Sequence, residues 1–155
     1  MLDIDDEFRN LVAALDEHRI EYALCGGMAM AVYQRPRMTI DIDLLIQEES
    51  LDRVVAIARE QGYQIRGKEM SFANGAVEIR RISKIDTDAG DLLSLDLLLV
   101  TPQLRQVWNS RVEAEWEGGK FCVVSRSGLI ALKRLRSSGQ DLDDISALEE
   151  EDLDA

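Results

Sequence analysis

The chain has 155 residues with 18 basic and 30 acidic side chains, and it contains no apolar run of the ~18 residues that a transmembrane helix needs. One histidine and two widely separated cysteines argue against a zinc site, a Ser-His-Asp triad or a disulfide. The acidic start lacks the pattern of a signal peptide, so we expect a cytoplasmic protein. We further expect residues 1–155 to form a single domain, with an acidic tail from about residue 149.

The acidic excess is confined to the two ends of the chain. Residues 1–7 hold four acids and residues 141–154 hold eight, whereas residues 8–140 carry eighteen acidic and eighteen basic side chains. A basic surplus of the kind that binds nucleic acid without sequence preference is therefore missing from the sequence. A specific RNA substrate remains open.

The first elements are a helix, a strand and a glycine turn. Apolar residues recur at helical spacing over Asp5–Arg19, which predicts an amphipathic helix. The short apolar run Tyr22–Cys25 is typical of a strand, and Gly26 and Gly27 behind it let the backbone turn tightly and approach a ligand. The helix predicted next, Met28–Tyr33, would direct free N–H groups and its positive dipole end toward a phosphate.

Two aspartates lie on the next predicted strand, Asp41–Ile46. Asp41 and Asp43 are two residues apart, so their carboxylates share one face of the strand while Ile42 faces the other way. Adjacent carboxylates repel each other, and a divalent cation is the usual compensation. Because Mg²⁺ binds through one or two carboxylates plus substrate phosphates, the strand and the glycine turn together predict a nucleoside triphosphate site.

This combination resembles the nucleotidyltransferase superfamily, which has the DNA polymerase beta-like fold. The motif stands as Cys25-Gly26-Gly27, thirteen intervening residues, and Asp41-Ile42-Asp43. The connector has the R-x-T-x-D-x-D form of small prokaryotic members related to abortive-infection nucleotidyltransferase toxins. The resemblance implies an α+β fold, a mixed sheet flanked by helices. It also implies nucleotide-binding roles for Gly26, Gly27, Arg37 and Thr39. For Arg37, a solvated loop residue that pairs with nearby acids is an equally open interpretation.

The middle of the chain is predicted to be a helix and a hairpin. The helix spans Glu48–Gln61, with Ser50 as its N-cap. Strands follow over Tyr63–Ile85, joined by a turn at Asn74-Gly75. This is the most basic region, and its charges indicate a substrate-facing patch or, the interpretation we favour, a solvated sheet face. The charged residues are Arg66, Lys68, Arg80, Arg81 and Lys84.

A third aspartate interrupts the apolar strand predicted over Leu92–Val100. An Asp in such a strand needs a partner, and a purely structural interpretation pairs Asp96 with an arginine. The superfamily has its third acid on a later strand of this kind. The resemblance therefore favours Asp96 as the third carboxylate, facing Asp41 and Asp43.

The last third is predicted to hold a short helix over Pro102–Arg111 with Thr101 as N-cap, a hairpin over Val112–Val124, and a helix over Ser127–Glu149 that breaks near residues 137–139. By resemblance, Lys133 matches the lysine that approaches the triphosphate in these enzymes. An exposed helix lysine is the equally weighted alternative. Asp141 and Asp144 fit the acidic positions of the following motif, where Gln140 replaces a residue that is often basic.

The resulting hypothesis is a nucleotidyltransferase that uses two Mg²⁺ ions held by Asp41, Asp43 and Asp96. It would transfer a nucleoside monophosphate from a triphosphate such as ATP to a hydroxyl of RNA (especially tRNA), a protein or a small molecule. A toxin–antitoxin role, a partner protein and a homodimer are further expectations. The alternatives are a non-catalytic binding or regulatory module with this fold and, less favoured, a glycosyltransferase with a D-x-D motif.

Overall fold

The computed structural model describes residues 2–33, 41–136 and 145–149. Its helices are α1 (Ile4–Glu17), α2 (Gly26–Val32), α3 (Leu51–Glu60), α4 (Arg105–Asn109) and α5 (Arg126–Arg136), and residues 145–149 are also helical. Its strands are β1 (Tyr22–Cys25), β2 (Asp41–Ile46), β3 (Ile65–Phe72), β4 (Val77–Asp86), β5 (Asp91–Leu99), β6 (Val112–Trp116) and β7 (Gly119–Val123).

The described strands form one mixed sheet in the order β3-β4-β5-β2-β1-β7-β6. The central strand β2 pairs antiparallel with β1 and parallel with β5, and β1 in turn pairs parallel with β7. The outer pairs β3–β4 and β6–β7 are hairpins. This arrangement confirms the prediction of an α+β fold built on a mixed sheet.

The core lies around the central strands. Every residue of β1 is buried, and β2 is buried from Leu44 to Ile46, as near-continuous apolar runs in central strands require. Helix α1 begins at an N-cap aspartate, Asp3, whose side chain accepts hydrogen bonds from the backbone of Asp5 and Asp6. Its apolar residues are buried against the sheet, which confirms the predicted amphipathic helix.

A buried polar cluster ties α1 to the sheet. The carboxylate of Glu7 lies 2.6 Å from Lys84 Nζ and accepts a hydrogen bond from the Tyr63 hydroxyl at 3.0 Å. Lys84 also donates to the carbonyl of Gln61 at 2.9 Å. Along β4, Lys84 and Arg81 are an odd number of residues apart and face opposite ways. Helix α1 therefore covers the sheet face opposite to the one on which Arg81 lies.

Both predicted N-cap residues, Ser50 and Thr101, hold the N-cap position, but neither side chain caps its helix. Residues Glu48–Ser50 form a separate 3₁₀ turn ahead of α3, so Ser50 already has helical backbone angles and its side chain caps nothing. Thr101 precedes a 3₁₀ turn, Pro102–Leu104, but its hydroxyl donates to the carbonyl of Ala76 at 2.6 Å. The Thr101 hydroxyl is thus used in a tertiary contact instead of a cap.

The predicted turn at Asn74-Gly75 is confirmed. The two residues have φ angles of 55° and 90° and join β3 to β4 through the 3₁₀ turn Ala73–Gly75. Asparagine and glycine are the residues that adopt such angles at least cost. Within the described ranges, none of the helices combines the length and the apolar character that crossing a membrane would require.

Candidate active site

The parallel pairing of β2 with β5 brings the three aspartates to one face of the sheet. Asp43 is the direct cross-strand neighbour of Asp96, and Asp41 is the neighbour of Ser94. Ile42 between the two β2 aspartates is fully buried on the other face. Asp96 is 4% exposed, whereas Asp41 and Asp43 are partly exposed. The site is therefore a carboxylate cluster with its deepest member on β5.

Gly26 forms the wall of this cluster on the β1 side. Its backbone has φ +72°, and a Cβ at this position would stand 2.0 Å from Oδ2 of Asp43. Cys25 just before it is the cross-strand neighbour of Asp43. Gly27 is buried in the first turn of α2. The glycine pair is thus the start of α2 and not a separate turn. Gly26 lies directly against the Asp43 carboxylate.

The cluster makes Asp43 hard to ionise. Burial raises its pKa to about 7, and the neighbouring charges of Asp96 and Asp41 act in the same direction. Arg136 and Lys133, both on α5, act against that shift. Lys133 is 4% exposed, which excludes the interpretation of an exposed helix lysine. The other interpretation of Lys133, a contact with the triphosphate, stays a prediction.

Arg81 is the residue that the sequence analysis missed. Its Nε donates to Asp96 Oδ1 at 2.7 Å and its terminal nitrogen donates to Asp96 Oδ2 at 2.9 Å. The same terminal nitrogen lies 3.9 Å from Oδ2 of Asp41. Arg81 is the cross-strand neighbour of Asp96 on β4. The structural interpretation, in which Asp96 pairs with an arginine, is therefore also supported. The side chain of Arg81 is 38% exposed, in keeping with a solvated sheet face, but its guanidinium is bound to Asp96.

A signal for Arg81 was present in the sequence. Strict alternation along β4 places Arg81 with Val77 and Ile79, away from Arg80, which pairs with Glu69 and Glu78 instead. An arginine that breaks an apolar face and an aspartate that breaks an apolar strand are natural partners. The sequence does not give the register of β4 against β5, and without that register the pairing of Arg81 with Asp96 could not be predicted.

Several predicted residues lie outside the described ranges. These are Arg37 and Thr39 of the connector, and Gln140, Asp141 and Asp144 with the predicted helix break near 137–139. Their roles stay predictions.

The donor set suits a hard cation, although no three-ligand metal site is formed. Among the residues that the structure describes, no group of three or more His, Cys, Asp or Glu side chains converges to hold an ion. Both oxygens of Asp96 are engaged by Arg81. Asp41 and Asp43 nevertheless offer carboxylate oxygens on one face, and two carboxylates plus substrate phosphates are a usual ligand set for Mg²⁺. Metal ligation by Asp96 stays a prediction.

The fold is shared with solved structures of low sequence identity. The solution structure of the antibiotic-resistance factor ANT(2'')-Ia has a TM-score of 0.66 and 18% identity over 91% of this chain and 80% of that chain. Its crystal structure in complex with adenylyl-2''-tobramycin has a TM-score of 0.63 and 17% identity, covering 92% and 86%. The crystal structure of TM1012 from Thermotoga maritima has a TM-score of 0.56 and 15% identity, covering 97% and 92%. These similarities confirm the predicted nucleotidyltransferase fold.

The sequence itself identifies the family. No curated protein is similar enough to the chain to count as a match. The family model described as "Nucleotidyl transferase AbiEii toxin, Type IV TA system" matches residues 9–115, which is more than half of the chain and includes the glycine pair and all three aspartates. The chain therefore belongs to the AbiEii nucleotidyl transferase toxin family.

Proposed function

We propose that this protein is a Mg²⁺-dependent enzyme that transfers a nucleoside monophosphate from a nucleoside triphosphate to a hydroxyl group. The observation that carries the proposal is the register of β2 against β5, which sets Asp43 beside Asp96 with Gly26 closing the other side. Family membership supports nucleotidyl transfer in general. The metal, the donor and the acceptor are inferred from the chemistry of the cluster.

Each described residue of the cluster has a proposed role. Asp41 and Asp43 hold the metal, as the two carboxylates that share one face of β2. The backbone N–H groups of Gly26 and Gly27 contact the phosphates, since neither residue has a side chain of its own to keep a ligand away from the backbone. Lys133 contributes positive charge to the triphosphate from inside the protein. Asp96, the most buried carboxylate of the cluster, is a third metal ligand and helps to accept the proton of the attacking hydroxyl.

The reaction is an in-line displacement at the α-phosphate. A bond forms between the acceptor oxygen and the α-phosphorus, the bond between the α- and β-phosphates breaks, and pyrophosphate leaves. Bound Mg²⁺ would supply charge neutralisation and alignment of the triphosphate.

The acceptor and the partner are finer proposals. ANT(2'')-Ia binds adenylyl-2''-tobramycin, so a small-molecule hydroxyl is one acceptor class that this fold accommodates. The family description names a toxin of a Type IV toxin–antitoxin system, which supports an antitoxin as partner; RNA and protein are the other acceptor classes of the proposal. The balanced charge of residues 8–140 supports recognition of a specific acceptor over general nucleic-acid binding.

The test is transfer from α-phosphate-labelled nucleoside triphosphates, with each of the four bases, into total RNA, total protein and small-molecule fractions. We expect labelling that requires Mg²⁺ and that disappears in Asp43→Asn and Asp96→Asn. Asp91→Asn is the matched control, because Asp91 lies on β5 with Asp96 but outside the cluster. Undiminished transfer by folded Asp43→Asn would contradict the assignment.

One observation favours the alternative of a non-catalytic module. The bidentate contact with Arg81 satisfies Asp96 without a metal or a substrate. Thermal unfolding separates the two functions, since a ligand that binds the native state raises its apparent stability. A Mg²⁺-dependent stabilisation by a nucleotide supports the enzyme. No stabilisation by any nucleotide, together with no transfer, supports the module.

A further inference from the structure

We propose that Arg81 and a divalent cation are alternative counter-charges for Asp96, so that the guanidinium keeps the site closed to free metal until a metal–triphosphate complex displaces it. This inference rests on the proposed function and concerns the control of the same site. It makes Arg81 a positioning residue that acts through Asp96.

The geometry of the pair is that of competition for the same atoms. Nε and one terminal nitrogen of Arg81 donate to the two oxygens of Asp96 at 2.7 and 2.9 Å, which is the side-by-side arrangement of a strong charge-assisted contact. One of these nitrogens also lies 3.9 Å from Asp41. A single guanidinium therefore spans carboxylates of both β5 and β2, the strands that carry the proposed metal ligands. A cation that binds the remaining lone pairs of Asp96 would stand beside the guanidinium, and the two positive charges would repel each other.

Burial explains why Asp96 needs a counter-charge at all times. Its side chain is 6% exposed, and an ionised carboxylate at that depth is costly unless it is paired and hydrogen-bonded. Asp43, its cross-strand neighbour, adds repulsion. Without metal, Arg81 supplies the compensation. With metal, the ion can supply it, and the arginine is no longer required.

The two partners differ in their freedom to move. Asp96 lies in the middle of a central strand, whereas the side chain of Arg81 is 38% exposed. The Arg81 stem lies along the backbone of Gly67 on β3, where a Cβ would stand 3.1 Å from Arg81 Cβ. The base of the side chain is thus held against β3, and the side chain as a whole is partly open to solvent. The guanidinium is the part of the pair that can swing away.

A triphosphate changes the balance because it is polyanionic. It brings additional oxygen ligands for the ion, and it offers the displaced guanidinium a new anionic partner. A free cation has neither advantage and meets an occupied carboxylate. The expected result is that metal and nucleotide bind cooperatively, with Arg81 as the source of the coupling.

The experiment compares Arg81→Gln with the wild-type protein by calorimetric titration with Mn²⁺ alone, and then with Mn²⁺ in the presence of a non-hydrolysable nucleoside triphosphate analogue. Removing the competing charge-assisted contact should tighten binding of free Mn²⁺ by about tenfold or more. The cooperativity between Mn²⁺ and nucleotide should fall correspondingly. Arg80→Gln is the matched control, because the adjacent Arg80 faces the other way and pairs with Glu69 and Glu78.

Arg81→Lys provides a second test in case Arg81→Gln does not fold. A lysine keeps the positive charge but cannot engage both oxygens side by side, so it should bind free Mn²⁺ with an affinity between those of the wild type and Arg81→Gln. Thermal unfolding in a chelator should show Arg81→Gln to be less stable than Arg81→Gln/Asp96→Asn, in which the unpaired carboxylate is gone.

The outcomes separate this inference from the proposed function. If the wild type and Arg81→Gln bind free Mn²⁺ equally while both bind Mn²⁺ with nucleotide, Arg81 is only a structural partner and the inference is overturned alone. If neither protein binds Mn²⁺ under any condition, the metal site of the proposed function is overturned with it.

Discussion

Gly26 and Asp43 approach each other so closely that no side chain can stand between them. A Cβ on Gly26 would lie 2.0 Å from Oδ2 of Asp43, and the glycine backbone has φ +72°, which other residues adopt at a cost. The position thus requires glycine for two independent reasons. They can be separated by experiment.

The substitution Gly26→Ala should therefore cost more than backbone strain alone. Gly90→Ala is the matched control, because Gly90 has φ +74° but nothing lies within 4 Å of the position that its Cβ would take. We expect the control to lose about 1–2 kcal/mol of unfolding free energy and to keep Mg²⁺–nucleotide binding. Gly26→Ala should lose more stability and also that binding, since the Asp43 carboxylate must move. Urea unfolding and calorimetry measure the two effects, and equal losses in both variants would contradict the contact.

The pKa of Asp43 predicts an unusual pH dependence for the metal-free protein. Because the pKa rises from 3.8 to about 7 on folding, the native state holds a proton between these pH values that the unfolded state has released. The contribution of this group to stability is complete below about pH 4 and is lost as the pH rises through 7, by roughly 2–4 kcal/mol in total.

The measurement is urea unfolding in a chelator from pH 4 to pH 8, for the wild type and Asp43→Asn. Taking the difference between the two proteins removes the titration of the remaining carboxylates. The advantage of the asparagine variant should grow as the pH rises. A difference that does not change with pH would show that Asp43 ionises as readily in the folded chain as in the unfolded one.

Lys133 should contribute charge that an isosteric apolar residue cannot replace. Lys133→Met keeps a long side chain in the buried position but removes the ammonium that favours ionised Asp43. We expect binding of the Mg²⁺–nucleotide complex to weaken by about tenfold in a calorimetric titration. Lys120→Met is the control, since Lys120 is a largely exposed lysine that pairs with Glu113 at 3.3 Å. Unchanged affinity in Lys133→Met would limit Lys133 to a structural role.

The Glu7–Lys84 pair should stabilise the fold without affecting the site. Lys84→Met leaves the buried Glu7 carboxylate with only the Tyr63 hydroxyl as a described partner, and should cost about 3–5 kcal/mol. The double variant Glu7→Gln/Lys84→Met should recover most of this loss, because both charges are gone. Urea unfolding of the four proteins in the cycle measures the coupling. Nucleotide binding should stay the same, since α1 covers the sheet face away from Asp96.

The sequence was most informative where one element carried its own pattern. Asp41 and Asp43 share a face because they are two residues apart, and the turn at Asn74-Gly75 follows from local backbone preferences. The resemblance of the glycine–aspartate motif to nucleotidyltransferases supplied the third acid, Asp96, and thereby the expectation of a cluster. These features depend on short stretches of chain.

Features that depend on register between distant strands could not be read from the sequence. The contact of Arg81 with Asp96 exists because β4 pairs with β5 in one register, and a shift of one residue would turn the arginine to the other face. The burial of Lys133 likewise depends on how α5 packs, not on its own sequence. The missing side-chain cap at Thr101 has a similar cause, because its hydroxyl donates to the carbonyl of Ala76, which is distant in sequence.

The parallel pairing of β2 with β5 also fixes when the cluster can form during synthesis. Asp43 and Asp96 meet only after the intervening hairpin has been made, and β1 completes its side of the sheet only when β7 has emerged. Contacts between residues so far apart in sequence carry a high loop-closure cost and form late. A ribosome-bound chain that ends before β5 carries Asp41 and Asp43 but lacks Asp96. The carboxylate cluster is therefore a late product of folding, which needs both β2 and β5.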